Sequence, residues 1–286
     1  WFGDLNPEIL TTCNVFGPQA FPLLHKSLDF GRDGYSLPQW LNGMPSYSMW
    51  WIINQYELYM FEGNLEYLKQ QHAYLSGLVE QIISNIDRKT GAEKIVGGFL
   101  DWPTSTDGAV VHAGMQALAV ITFDRAMKIA SFIGDDALRK KCADQIKLLR
   151  KHRPDCMKSS QALSLNILSG QSNNVGKDAR QILENGVDRN STFYGYYISE
   201  ALAAAGHYNE ALNNMAKYWK GMLDLGATTF WEDFSYKDLA NSGRIDEIVP
   251  DGKHDIHADG GDFCYKGLRL SLCHGWASGP TAWMMK

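Results

Sequence analysis

The sequence repeatedly sets an indole ring close to a carboxylate or an imidazole. Trp1 stands three residues before Asp4, Asp101 adjoins Trp102, Trp231 adjoins Glu232, and His274 lies two residues before Trp276. Such pairs suit carbohydrate. A pyranose has apolar C–H faces that lie on aromatic planes, and hydroxyls that bond to charged acceptors. Two carboxyl groups facing each other across a sugar can also break its glycosidic bond. One must be protonated to donate to the leaving oxygen, the other ionised to activate water or attack carbon. Burial against indole raises a carboxyl pKa and hydrogen bonds to the anion lower it, so environment assigns the two roles. The chain holds 32 acidic residues, so a lone Asp or Glu carries no signal. The nine tryptophans are equally at home in a core, and only their pairing with acids at loops points to a site.

The elements that hold these residues read as helices. Ser48, Met49, Ile52, Ile53, Tyr56, Tyr59 and Met60 recur at steps of three and four, the spacing of one helix face. Gly63 ends that helix as a left-handed cap. The stretch 65–86 reads as its partner. Asp107 is the predicted N-cap of an apolar run, 110–133, that Gly134 stops. Leu138, Cys142, Ile146 and Leu149 form the next face, and Gly206 separates Ile198 and Leu202 from Ala211, Met215 and Trp219. The three glycines are 71 (134 − 63) and 72 (206 − 134) residues apart. Glycine turns between helices make antiparallel hairpins, and their repetition predicts either an α-solenoid or a closed ring of hairpins. Among the remaining long connections, 31–45, 97–106 and 226–262, are the segments that carry Asp101 with Trp102 and Trp231 with Glu232, as loops on a rigid scaffold often carry function. With no Pro/Ser/Gly linker in the chain, residues 1–286 read as one domain.

Composition narrows the classes. A net charge of −5 and a pI near 5.9 give no basic surface for nucleic acid or anionic membrane. No apolar run has the length of a membrane span. Five scattered cysteines without a CxxC pair suggest free thiols rather than a zinc site or a disulfide framework. His254, Asp255, His257 and Asp259 crowd one loop but match no metal-ligand spacing, so a solvated loop is expected and no metal. Neither a Gly-rich phosphate loop nor Gly-x-Ser-x-Gly occurs.

Longer motifs sharpen this. Gly226-Ala227-Thr228-Thr229-Phe230-Trp231-Glu232 resembles the Gly-Ala-Thr-Thr-x-Trp-Glu motif of the α-L-rhamnosidases of glycoside hydrolase family 78, and Ser271-Leu272-Cys273-His274-Gly275-Trp276 resembles the Ser-x-x-His-Gly-Trp that follows it there. Trp1-Phe2-Gly3-Asp4, Asp33-Gly34-Tyr35 and Leu100-Asp101-Trp102 fall in the family's order between its start and these motifs. The resemblance implies an all-α (α/α)6 barrel and cofactor-free, metal-free hydrolysis of terminal α-L-rhamnose with inversion. It makes Glu232 the general base. It gives Trp1, Asp4, Asp33, Asp101, Trp102, Trp231 and His274 to the sugar pocket. It also places either Trp50 or Trp51 there, since neighbours on a helix cannot share a face.

The departures from the family pattern set further expectations. The position of the family's general acid falls before Trp1, which suggests a fragment lacking its acid and slow on natural rhamnosides. The flanking β-domains against which such a barrel packs also lie outside the sequence. The connection from Gly226 to His274 carries a polar insert, 241–262. Two rival readings remain. One is another enzyme of the same barrel, such as an uronyl hydrolase, a different exo-glycosidase or a lyase, of which a uronate-specific one needs an Arg or Lys for the sugar carboxylate. The other is a degenerate carbohydrate-binding domain.

Overall fold

The computed structural model describes residues 1–286. Its helices in chain order are α1 (Leu5–Phe16), α2 (Phe21–Gly34), α3 (Pro45–Glu62), α4 (Leu65–Ser84), α5 (Gly108–Ile133) and α6 (Asp136–Leu149). They continue with α7 (Ser160–Leu168), α8 (Val175–Asn185), α9 (Tyr194–Ala204), α10 (Tyr208–Asp224), α11 (Ile256–Asp259) and α12 (Gly279–Met284). Extended pairing is limited to two isolated bridges, Ile86 with Glu93 and Ser242 with His254. No helix is long and apolar enough to cross a membrane.

The hairpins close into a ring. Helix α1 packs on α3, α3 on α5, α5 on α7, α7 on α9, α9 on α12, and α12 returns to α1. Outside this ring, α2 packs on α3, α4 on α3 and α5, α6 on α5, α8 on α7 and α9, and α10 on α9. The result is the (α/α)6 barrel, the closed alternative of the two that periodicity left open. Burial separates the two layers. Inner helix α3 is buried without a break from Pro45 to Gln55, whereas outer helix α8 buries only Ala179 and Ile182. A helix covered on all sides is apolar all round, and one with a wet face is amphipathic.

Local chemistry fixes the hairpin turns. Gly63 (φ 68°), Gly134 (φ 78°) and Gly206 (φ 88°) take the left-handed conformation between inner and outer helices, which a residue with a Cβ adopts at a cost. Asn64 Oδ1 accepts from Tyr67 N at 3.0 Å and Asp135 Oδ1 from Leu138 N at 2.9 Å, so the polar residue after the glycine starts the next helix. Asp107 does the same for α5, accepting from Ala109 N and Val110 N at 3.1 Å. All five cysteines are free, Cys13, Cys142 and Cys156 in the interior.

The connection between α10 and α12, expected to be a long loop, is packed. It contains a 3-10 turn at Tyr236–Asn241 and the single-turn α11. Trp231, Phe234, Ile256 and Leu270 from this connection form a second apolar cluster with Met215 and Met222 of α10.

Candidate active site

Glu232 sits where the segments 230–232 and 271–274 are tied together by backbone hydrogen bonds. Its N–H donates to Ser271 O at 2.8 Å, Ser271 N donates back to its Oε2 at 2.9 Å, and His274 N donates to Phe230 O at 2.7 Å. The Glu232 carbonyl accepts from Thr192 Oγ1 at 2.7 Å and from Trp276 Nε1 at 2.9 Å. Thr192 precedes α9, and Trp276 lies in the turn before α12. The backbone of Glu232 is therefore bolted to two inner helices. The residue is 7% exposed, with Oε2 accepting from Ser271 N and the Cys264 thiol beside the carboxylate.

Glu232 borders a cavity of about 240 Å³ shared with Trp1, Asp4, Met44, Tyr47, Phe99, Trp102, Tyr265, His274 and Trp276. That volume lies below the roughly 300–1,000 Å³ of drug-sized pockets and suits a single sugar ring. The aromatic rings brace one another. Trp1 meets Tyr47 at 6.1 Å, Phe99 meets Trp102 at 5.3 Å, and Trp102 meets Tyr265 at 5.5 Å between centroids. Behind the pocket, Trp276 stacks on Phe193 at 5.3 Å.

The polar side of the cavity is Asp4 and His274. Asp4 occupies the N-cap position of α1 but makes no capping bond. Its Oδ1 lies 3.1 Å from His274 Nε2, and its buried Oδ2 has no hydrogen-bond partner. A buried acceptor without a donor is costly, and here it borders a cavity where a ligand hydroxyl can supply one. Nearby titrating groups feel this carboxylate. Burial first, and then Asp4, raises the Glu8 carboxyl above its ordinary range and holds the Tyr47 phenol protonated. The Cys264 thiol is likewise pushed up by burial and by the neighbouring Glu232 carboxylate.

Of the residues expected at a sugar pocket, the structure brings Trp1, Asp4, Trp102, Glu232 and His274 together, with Trp1 at the rim and 70% exposed. The others lie elsewhere, each for a visible reason. Asp33 is on the surface at the end of α2, paired with Arg32 at 2.7 Å, which holds its carboxyl below the usual range. Trp51 is a core residue whose Nε1 donates to Leu28 O at 2.9 Å. Trp50 packs on Tyr197 and lines a different cavity of about 430 Å³ beside Tyr56 and Tyr196. Neither of the adjacent tryptophans of α3 reaches the cavity beside Glu232. Trp231 is wholly buried in the second cluster.

Asp101 is also wholly buried and fully engaged. It accepts from Thr104 N (3.2 Å), Thr104 Oγ1 (2.6 Å), Gln161 Nε2 (2.9 Å) and Ser191 Oγ (2.7 Å). Burial raises its pKa and these donors oppose the rise. It holds the 101–104 turn that presents Trp102, and has no free oxygen for a sugar. Sequence reasoning missed Met44, Tyr47, Phe99 and Tyr265 as lining residues, and left Trp276 unassigned although the His-Gly-Trp motif contains it. Nothing in the sequence around Tyr47, in an apolar helix, distinguished it from core.

No protein-family profile and no curated protein matches the chain. Its fold, however, is similar to solved structures. A rhamnosidase from Klebsiella oxytoca with rhamnose bound superposes with a TM-score of 0.74 at 19% identity, covering 99% of this chain and 57% of that one. A GH78 family rhamnosidase of Bacillus sp. GL1 gives 0.73 at 18%, covering 99% and 31%. An α-L-rhamnosidase from Dictyoglumus thermophilum gives 0.72 at 16%, covering 99% and 33%. This chain shares their barrel fold. It spans between about a third and somewhat over half of their lengths.

Proposed function

We propose that the chain carries the sugar pocket and the water-activating base of an inverting glycoside hydrolase that removes terminal α-L-rhamnose. The observation that carries this reading is Glu232, held through Oε2 by Ser271 N, on a ring-sized aromatic cavity whose polar lining includes the Asp4–His274 pair. It is supported by the likeness in fold to three rhamnosidases and by the motifs around Glu232 and His274. Oε1 of Glu232 takes a proton from water, the water oxygen bonds to the anomeric carbon, and the glycosidic C–O bond breaks on the opposite face. The leaving oxygen takes a proton from a second carboxyl, about 6.5–9.5 Å away in an inverting enzyme. Asp4 Oδ2 accepts a sugar hydroxyl, and Trp102 offers an apolar wall. No Lys or Arg lines the cavity, which favours a neutral sugar over a uronate.

The only lining carboxyls are Glu232 and Asp4, and Asp4 is engaged by His274, so turnover of natural rhamnosides by the 286-residue chain is expected to be slow. General acid catalysis contributes typically 10²–10⁴-fold, and an aryl leaving group bypasses much of that need. The test is release of 4-nitrophenol from 4-nitrophenyl α-L-rhamnoside beside a panel of other nitrophenyl glycosides, with Glu232→Gln as control. Activity confined to the rhamnoside, and at least roughly 10²-fold lower in the variant, is the expected result. Undiminished turnover by Glu232→Gln removes Glu232 as the base, and activity confined to another glycoside changes the sugar.

A further inference from the structure

Between its two motifs the connection 226–274 carries the polar insert 241–262, and the chain just after that insert delivers a ring to the pocket. Asp233, next to the base, points away from the cavity and is 3% exposed. Its Oδ2 accepts from Phe263 N and Cys264 N, both at 3.0 Å, and its Oδ1 accepts from Phe234 N at 2.9 Å. Gly261 passes so close that a Cβ there would collide with the Asp233 carboxylate, and Gly260 turns with φ 73°. The turn 260–264 is thus wrapped around one buried carboxylate. A second tie holds it, since Asp262 Oδ2 receives Ser235 Oγ at 3.0 Å and Lys237 Nζ at 2.5 Å. Directly after this turn, Tyr265 lines the cavity, meets Trp102 edge-on at 5.5 Å and carries the Arg269 guanidinium 3.9 Å from its ring centroid.

We infer that Tyr265 is a substrate-contacting wall of the pocket and that Asp233 is the residue that positions it, an inference that rests on the sugar-pocket reading above. The rings of Tyr47 and Trp276 are placed by the barrel helices or the turns next to them. Tyr265 has no such support and depends on the clamp. Without the Asp233 carboxylate, the Phe263 and Cys264 amides are left without their acceptor, the turn opens, and the ring leaves Trp102. Asp233 then acts on the sugar only through Tyr265, and the two residues are energetically coupled rather than additive.

The experiment measures calorimetric binding of L-rhamnose to the 286-residue chain and to Tyr265→Ala, Tyr265→Phe, Asp233→Ala and the double variant Asp233→Ala/Tyr265→Ala. Thermal unfolding of each is recorded alongside. Tyr265→Ala is expected to weaken binding roughly two- to tenfold, the worth of one aromatic contact, and Tyr265→Phe to restore it. Asp233→Ala is expected to match Tyr265→Ala, and the double variant to bind no more weakly than either single one. A purely structural role for Asp233 would lower the unfolding temperature without this coupling. Should Asp233→Ala fail to fold, Gly261→Ala crowds the same clamp from the loop side and is expected to give the same loss of affinity. Binding that Tyr265→Ala leaves unchanged overturns the wall alone, and losses that multiply in the double variant overturn the coupling. Absence of L-rhamnose binding by the unmodified chain overturns the sugar-pocket reading and this inference with it.

Discussion

Replacing Asp101 separates a structural carboxylate from a sugar-binding one. Asp101→Ala withdraws the acceptor of four hydrogen bonds at a site with no solvent exposure. The donors differ in what they can do next. Thr104 Oγ1 keeps its contact with Asp101 O at 3.2 Å, and Gln161 Nε2 keeps Arg189 O at 3.0 Å through its other hydrogen. Thr104 N, one hydrogen of Gln161 and the Ser191 hydroxyl remain without partners. At about 1–3 kcal/mol for each stranded buried donor, softened by rotation of the hydroxyl, the loss is about 3–5 kcal/mol. For a domain of this size, about 2 °C per kcal/mol converts that to a fall in Tm of roughly 6–10 °C. Asp101→Asn keeps the shape and one acceptor oxygen but turns an NH₂ group toward existing donors, so it is expected to fall between wild type and Asp101→Ala. Circular dichroism melts at pH 7 measure the first effect and L-rhamnose calorimetry the second. A Tm within about 1 °C of wild type, together with weakened sugar binding, would refute the placement of this carboxylate in the interior network.

Two further outcomes follow from the scaffold. Gly91 has φ 78°, and a Cβ there would meet the Leu148 main-chain carbonyl, which cannot rotate away; strain and overpacking together put Gly91→Ala at about 2–5 kcal/mol of lost stability, read as a lower urea midpoint with L-rhamnose affinity unchanged. His112 Nε2 and His152 Nε2 face each other at 2.9 Å, with Glu93 on the other nitrogen of His112. Burial and the neighbouring His112 hold the His152 pKa below its ordinary 6.5. The folded chain therefore keeps His152 neutral where the unfolded chain protonates it, and this contribution to stability is lost as pH falls below about 6.5. The urea midpoint is expected to drop between pH 8 and pH 5.5 by more in the wild-type chain than in His152→Gln, and an equal drop would show that His152 does not titrate in this window.

The helical hairpins were legible because glycine with positive φ, followed by a capping residue, leaves a local mark. Closure of the ring was not, because it depends on α12 meeting α1 across the whole chain, and no spacing of turns records such a contact. Periodicity fits an open solenoid equally well, and only the motif resemblance favoured the barrel. Tyr265 was hidden for a related reason. Its place depends on a carboxylate some thirty residues earlier, in a stretch whose polar composition reads as a solvated loop.

The Trp–acid pairs show most clearly why the site was only half legible. Neighbouring residues of one chain can face different surroundings, as where the extended Asp101 leads into the 3-10 turn that starts at Trp102. When such a dipeptide lies between a cavity and a core, one member enters each. Trp231 goes into the second cluster and Glu232 borders the cavity; Asp101 goes into the interior network and Trp102 lines the cavity. Both dipeptides that the pattern singles out run along this cavity. The pattern could not say which member faces in, because either order satisfies the same composition. What resolves the order is the partner on the buried side. An indole fills the apolar cluster behind Glu232, whereas a carboxylate collects the four donors behind Trp102. Exchanging the residues at 231 and 232 would therefore strand a carboxylate in an apolar cluster as well as remove the proposed base. The residue paired with a functional side chain is fixed by the packing behind the site, and its own chemistry is no guide to the substrate.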